Sequence, residues 1–216
     1  MFVFTVENIS NIKGLTYTND GISDKHLERI EYSKTSGLLK DFNYSEYMIK
    51  TPPKNNSIQT YEELKFLSYL PEDIEFVKKY DDAENVFEEV CKQNNVKYPA
   101  DLVDSIVDAS NGIILELKYH FNRPRPYQLA KHYNLDLGGI TLESMKSPSF
   151  PSGHSTQGYL IGKILQTKLS IDTNAFLEVA KNTSFSRNVG RAHYLSDSQV
   201  GEKLGNDMYQ YLIKKI

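Results

Sequence analysis

The chain has 216 residues, 39% hydrophobic and 25% charged, which suits one globular domain with a substantial core and excludes a disordered chain. A net charge of -3 argues against a nucleic-acid coat or a polybasic membrane anchor, and no run approaches the roughly 18 apolar residues of a membrane span. The single cysteine, Cys91, has no partner for an internal disulfide and fits a reducing compartment. The first residues carry Glu7 and Lys13 and lack the basic start and apolar run of a secretory signal, so the expectation is a cytoplasmic protein without stable membrane insertion.

In chain order, residues 1–57 read as an irregular N-terminal extension. Phe2, Phe4 and Val6 alternate like a short strand, Asn19-Asp20-Gly21 is a turn, and 24–33 has the spacing of a short helix. Pro52-Pro53 and Asn55-Asn56-Ser57 then break the chain, and 58–216 reads as one helical domain. Thr60 with Glu63 is a capping-box pattern for a helix over 60–70. The acidic run from Glu72 to Glu89 reads as a solvated face, with a helix over 81–93 that turns Val86, Phe87 and Val90 inward. A longer helix over 99–122 follows, stopped where Pro124 disfavours helical geometry at Arg123. Residues 127–150 form a loop with some helix. Helices over 154–169, 172–187 and 196–213 complete an all-α, single-domain bundle, in which Gly158 and Gly162 permit close helix packing.

Three short clusters carry chemistry. The first is Lys118, six residues, then Arg125-Pro126; the second is Pro151-Ser152-Gly153-His154; the third is Ser186-Arg187, five residues, His193, three residues, Asp197. Lys118 near a helix end and Arg125 on an extended segment can both face one anion, the guanidinium as a bidentate fork. Pro-Ser-Gly before a helix leaves the amides of Gly153 and His154 as an anion site, with the Ser152 hydroxyl as a further donor. His193 and Asp197 share a helix face, so the carboxylate can set the imidazole tautomer. The histidines are not at zinc-ligand spacing and stand among cations, so no metal site is expected.

These clusters, in this order, resemble the three motifs of the type 2 phosphatidic acid phosphatase (PAP2) superfamily, which includes bacterial class A acid phosphatases and vanadium-dependent haloperoxidases. The match spans 118–197. The resemblance implies that His193 is the nucleophile that becomes a phosphohistidine, that Asp197 orients it, and that His154 is the general acid and later the base for water. It further implies a phosphate clamp of Lys118, Arg125 and Arg187, with Ser152 and Gly153 as donors. Arg123-Pro124 repeats the Arg-Pro pair two residues early, and only the spacing from Lys118 selects Arg125. Arg191 is a further candidate for the site entrance, while His26, His120 and His132 read as ordinary surface or core groups.

The function expected is a soluble, metal-independent phosphomonoesterase acting on a small phosphorylated substrate, with no cofactor and no nucleic-acid partner. The sequence is compatible with an assembly of identical copies and does not specify one. The alternatives are a vanadate-dependent haloperoxidase, which in this superfamily is a longer chain, and a lipid phosphate or pyrophosphate phosphatase, which usually carries membrane helices. A catalytically silent binding protein fits poorly with intact His193, Asp197 and His154.

Overall fold

Ser57 starts the helix that follows the Pro52-Pro53 break: its Oγ accepts from Thr60 N at 3.2 Å, while Thr60 Oγ1 donates to Lys54 O. The cap is therefore Ser57 rather than Thr60, and Glu63 is free for another task. A computed structural model describes residues 11–169, 171 and 174–216. The strand expected near Phe2 and the expected helix start at residue 172 lie outside these. Among the described residues every regular element is helical: α1 Asp24–Thr35, α2 Ser45–Ile49, α3 Ile58–Tyr69, α4 Ile74–Asp81, α5 Ala83–Gln93, α6 Ala100–Phe121, α7 Pro126–Ala130, α8 Gly153–Lys168, α9 Ala175–Val189 and α10 Leu195–Leu212. Short 3-10 turns cover Lys131–Tyr133 and Glu143–Met145. Two helices, α1 and α2, thus lie within the segment read as an irregular extension, and α1 packs along α6.

The acidic run is not one solvated face. Asp73 and Asp82 cap two successive helices, accepting from Phe76 N and Asn85 N. Helix α4 buries Val77 and Tyr80, and α5 buries Val86, Phe87, Val90 and Cys91. Glu75, Glu88 and Glu89 face outward because apolar residues at helical spacing claim the inner stripe.

Helix α8 lies against both α9 and α10, and the approach is close enough to demand glycine. A Cβ on Gly162 would stand 2.8 Å from Phe176 O of α9, and one on Gly205 of α10 would stand 2.2 Å from Thr156 O of α8. Leu160, Ile164, Leu165, Phe176, Leu204 and Met208 fill the adjoining core. Chain direction then gathers one set of ends. Helices α6 and α9 finish, and α8 and α10 begin, at the same end of the bundle. Leu64 and Leu67 of α3 join Leu129, Tyr133 and Tyr194 in a second apolar cluster, which seats α3 beside the start of α10.

Gly205→Ala forces a methyl into a backbone carbonyl and should cost about 2–3 kcal/mol, a fall of roughly 5–10 °C in Tm for a chain of this size. Gly14→Ala, which meets open space, should move Tm by no more than about one degree. Differential scanning calorimetry of the two variants checks the contrast, and equal shifts would refute the packing argument.

Candidate active site

Five helix ends deliver the side chains that the three motifs predicted. Lys118 comes from the last turn of α6, Arg125 caps α7, Ser152, Gly153 and His154 open α8, Arg187 comes from the last turn of α9, and His193 and Asp197 flank the start of α10. All eight therefore lie at one end of the bundle. Lys118, Gly153, His154 and His193 share the lining of one cavity of about 230 Å³.

Asp197 has no exposed surface, and its two oxygens divide the work. Oδ1 accepts from Arg123 Nη1 at 2.5 Å. Oδ2 accepts from Tyr194 N at 3.0 Å, from His193 Nδ1 at 3.2 Å, and from the Ser149 hydroxyl. Arg123, its guanidinium 3.8 Å over the Tyr194 ring, also donates to Glu63 Oε2 at 3.2 Å and to Ser196 Oγ at 2.8 Å. Glu63 in turn accepts from Ser196 N at 2.6 Å. Burial alone would raise the Asp197 carboxyl, but the Arg123 charge and the His193 and Ser149 hydrogen bonds hold it well below the usual carboxylate range.

The same contacts fix the histidine. Arg125 Nη1 lies 3.0 Å from His193 Nε2 and can only donate, so Nε2 must be the acceptor and Nδ1 must carry the proton given to Asp197. His193 is thus held neutral with its Nε2 lone pair facing the guanidinium. Burial first, and then the Arg125 charge, push its pKa well below the ordinary value of 6.5, with Asp197 opposing. Arg125 is further anchored on the carbonyls of Ser147, Ala192 and Ser144. Lys118 Nζ donates to Pro148 O at 2.6 Å, and burial followed by the Arg125 charge lowers its pKa well below that of a free lysine.

The structure separates the two Arg-Pro pairs: Arg125 faces His193, whereas Arg123 turns to Asp197 and Glu63. Arg191 is buried on the carbonyls of Leu137, Val189 and Leu70, which makes it a loop anchor and not an entrance residue. Ser152 Oγ accepts from Ser155 N and Ser155 Oγ, so the hydroxyl caps α8 and has only its own proton left to give. Gly153 and His154, the first two residues of α8, have amides without a carbonyl partner inside the helix.

Arg187 and His154 meet an acid that the sequence did not mark. Asp81 Oδ1, at the end of α4, lies 2.5 Å from Arg187 Nη1 and 3.5 Å from His154 Nε2, and its carbonyl lies 3.2 Å from the same nitrogen. Burial and then the Arg187 charge lower His154 to about 4, with Asp81 partly offsetting them. Asp81, Glu63 and Arg123 are the site residues that sequence reasoning missed or left unassigned. For Asp81 and Glu63 no local signal existed, since each looked like an ordinary helix-end acid.

Residues 105–205 match the family model described as the PAP2 superfamily. That segment, 101 of the 216 residues, is similar to the PAP2 superfamily. The matched segment runs from within α6 into α10, so Glu63 and Asp81 lie outside it. The chain is also similar to a solved structure described as the first bacterial vanadium-dependent iodoperoxidase, with a TM-score of 0.68 and 16% identity. That alignment covers 100% of this chain and 63% of the other, and at this identity the likeness is one of fold. A comparison with curated proteins gives no match. Among the described residues no helix is long and apolar enough to cross a membrane.

Two outcomes follow from the buried charges. Arg123→Met strands Asp197 and Glu63 without their cation and should destabilise the fold by about 3–5 kcal/mol, which urea unfolding measures; a change under about 1 kcal/mol would show that the ion pairs are not a support. His154 and His193 bind protons less readily folded than unfolded, where their ordinary pKa is 6.5. Their contribution to stability is therefore complete above about pH 6.5 and is lost as the pH falls toward 4. Tm should decline across that window and decline less in His154→Asn; a flat profile would contradict the neutral assignments.

Proposed function

We propose that the protein is a phosphomonoesterase that works through a phosphohistidine at His193 without a metal ion. The observation that carries this reading is the His193 ring, held neutral with Nδ1–H on Asp197 and its Nε2 lone pair turned to Arg125. An oriented neutral imidazole beside fixed cations is a nucleophile aimed at an anionic electrophile.

In the proposed reaction the ester phosphate takes the donors of Lys118, Arg125 and the first amides of α8. Arg125 then gives its hydrogen bond to a phosphate oxygen, which frees Nε2. Nε2 attacks phosphorus, the phosphorus–alkoxide bond breaks, and His154 delivers its proton to the departing oxygen. Water next attacks the phosphohistidine, gives a proton to His154, and the P–N bond breaks to release phosphate. Asp197 stabilises the positive charge that His193 acquires on attack. His154 must be protonated at the first step. A bound phosphate dianion favours that form and opposes the burial and the Arg187 charge that lower its pKa.

The iodoperoxidase fold likeness supports a second reading on the same residues. Lys118, Arg125 and His193 are cationic and imidazole donors that suit vanadate as well as phosphate. Vanadate, when bound, would supply peroxide activation for halide oxidation.

Hydrolysis of p-nitrophenyl phosphate should survive EDTA and should be inhibited by orthovanadate far below millimolar levels, because vanadate adopts the five-coordinate shape of the transition state. His193→Ala should remove turnover, and quenched wild-type enzyme should retain an acid-labile, base-stable phosphoryl group. Loss of activity on chelation, restored by a divalent metal, would overturn the proposal. Robust bromide or iodide oxidation by the vanadate-loaded protein with negligible ester hydrolysis would favour the second reading.

A further inference from the structure

His154 and Gln157 stand on the border of two cavities with opposite charge. The cavity of about 230 Å³ that contains His193 is lined by Lys118, Arg29 and Lys146 against one acid, Glu143. The second, of about 390 Å³, lies on the other side of His154, where Asp81, Asp82 and Glu84 outnumber one cation, Lys78. Its volume is within the range of small-molecule sites, about 300–1,000 Å³.

The acids of this second cavity are not equivalent. Asp81 is matched by Arg187, and Asp82 is occupied as the cap of α5. Glu84 is different: besides partial burial, the influences on its carboxyl are all acids, Asp104, Asp82 and Asp108, and they raise its pKa. It is a half-buried carboxylate in a field that a cation would relieve. A second, independent feature also calls for a ligand. Thr183 lines the cavity, is fully buried, and its hydroxyl has no hydrogen-bond partner among the described residues. Val107 and Ile161 complete the lining with apolar surface suited to a short carbon chain.

From this juxtaposition we infer that the acid-lined cavity takes the cationic end of the leaving alcohol, so that the favoured substrates are phosphomonoesters of amino alcohols or amino sugars. The inference rests on the phosphomonoesterase reading, because it places phosphate on the His193 side and the alcohol beyond the acid that protonates it. A zwitterionic ester then spans the change of sign at His154, with its phosphate among cations and its ammonium near Glu84. Esters whose alcohol is anionic meet like charge in the same place.

Three phosphonates of similar size test the cavity without any turnover, since their C–P bond does not hydrolyse: 2-aminoethylphosphonate, propylphosphonate and 2-carboxyethylphosphonate. Calorimetric titration of the wild-type protein should rank them cation, neutral, anion, with about a tenfold gap between the first two at low salt that narrows as salt is added. Glu84→Gln should shrink that gap to about threefold or less while leaving propylphosphonate affinity and p-nitrophenyl phosphate turnover unchanged. Equal affinities, or a ranking that Glu84→Gln does not alter, would overturn the inference. Turnover of phosphoethanolamine, glycerol phosphate and phosphoglycerate is measured in parallel. Absence of all hydrolysis alongside the expected phosphonate ranking would sink the phosphatase reading and leave the cavity assignment standing.

Discussion

The site depends on one buried negative charge, that of Asp197. A carboxylate without exposed surface is costly unless every lone pair is engaged. Here the peptide N–H of Tyr194, the Ser149 hydroxyl, the His193 ring and the Arg123 guanidinium all point at it. Because Oδ1 is committed to Arg123, Oδ2 is the oxygen left for the imidazole. That division sets the tautomer of His193 and hence which nitrogen can react. Arg123 is held in turn by Glu63, so a residue of α3 lies in direct series with the proposed nucleophile.

A second arrangement mirrors the first on the other side of the site. Arg187 is fully buried and its charge is met by Asp81, which also faces His154. Each histidine is therefore accompanied by one arginine and one aspartate, with different results. Asp197 is sealed and stays ionised, which fixes His193 as a neutral base-like group. Asp81 is more than one-third exposed on its side chain, so it can exchange partners when an anion claims Arg187. The environment gives two histidines of the same ordinary pKa different surroundings, which is what the proposed reaction requires of a nucleophile and a proton donor.

None of this would be aligned without the close contact of α8 with α9 and α10. Glycine at 162 and 205 removes the side chains that would hold those helices apart, so their ends meet at hydrogen-bonding distance. One consequence is the Ser152 N to Asp197 O bond of 3.0 Å, which ties the start of α8 directly to the start of α10. The polar site is thus referenced to the apolar core that Leu160, Ile164, Leu165, Phe176, Leu204 and Met208 form between these helices.

By itself, the sequence determined the helical class, the spans of the seven longest helices to within a few residues, and the three motifs whose eight residues the proposed function uses. These were legible because helical periodicity, caps and i,i+4 spacing are short-range relations. It could not decide what Arg123 does, because Arg123-Pro124 and Arg125-Pro126 have the same local chemistry. Nor could it place Glu63, which satisfied a helix-start pattern, or Asp81, which sat in an acidic run that resembled a solvated face. Those assignments came from tertiary structure alone. Glu63 reaches Arg123 across 60 residues and Asp81 reaches Arg187 across 106, and no local pattern encodes a partner for a charge. That partner is chosen by which helices the apolar core brings together, and by the cost of leaving a buried guanidinium or carboxylate without one.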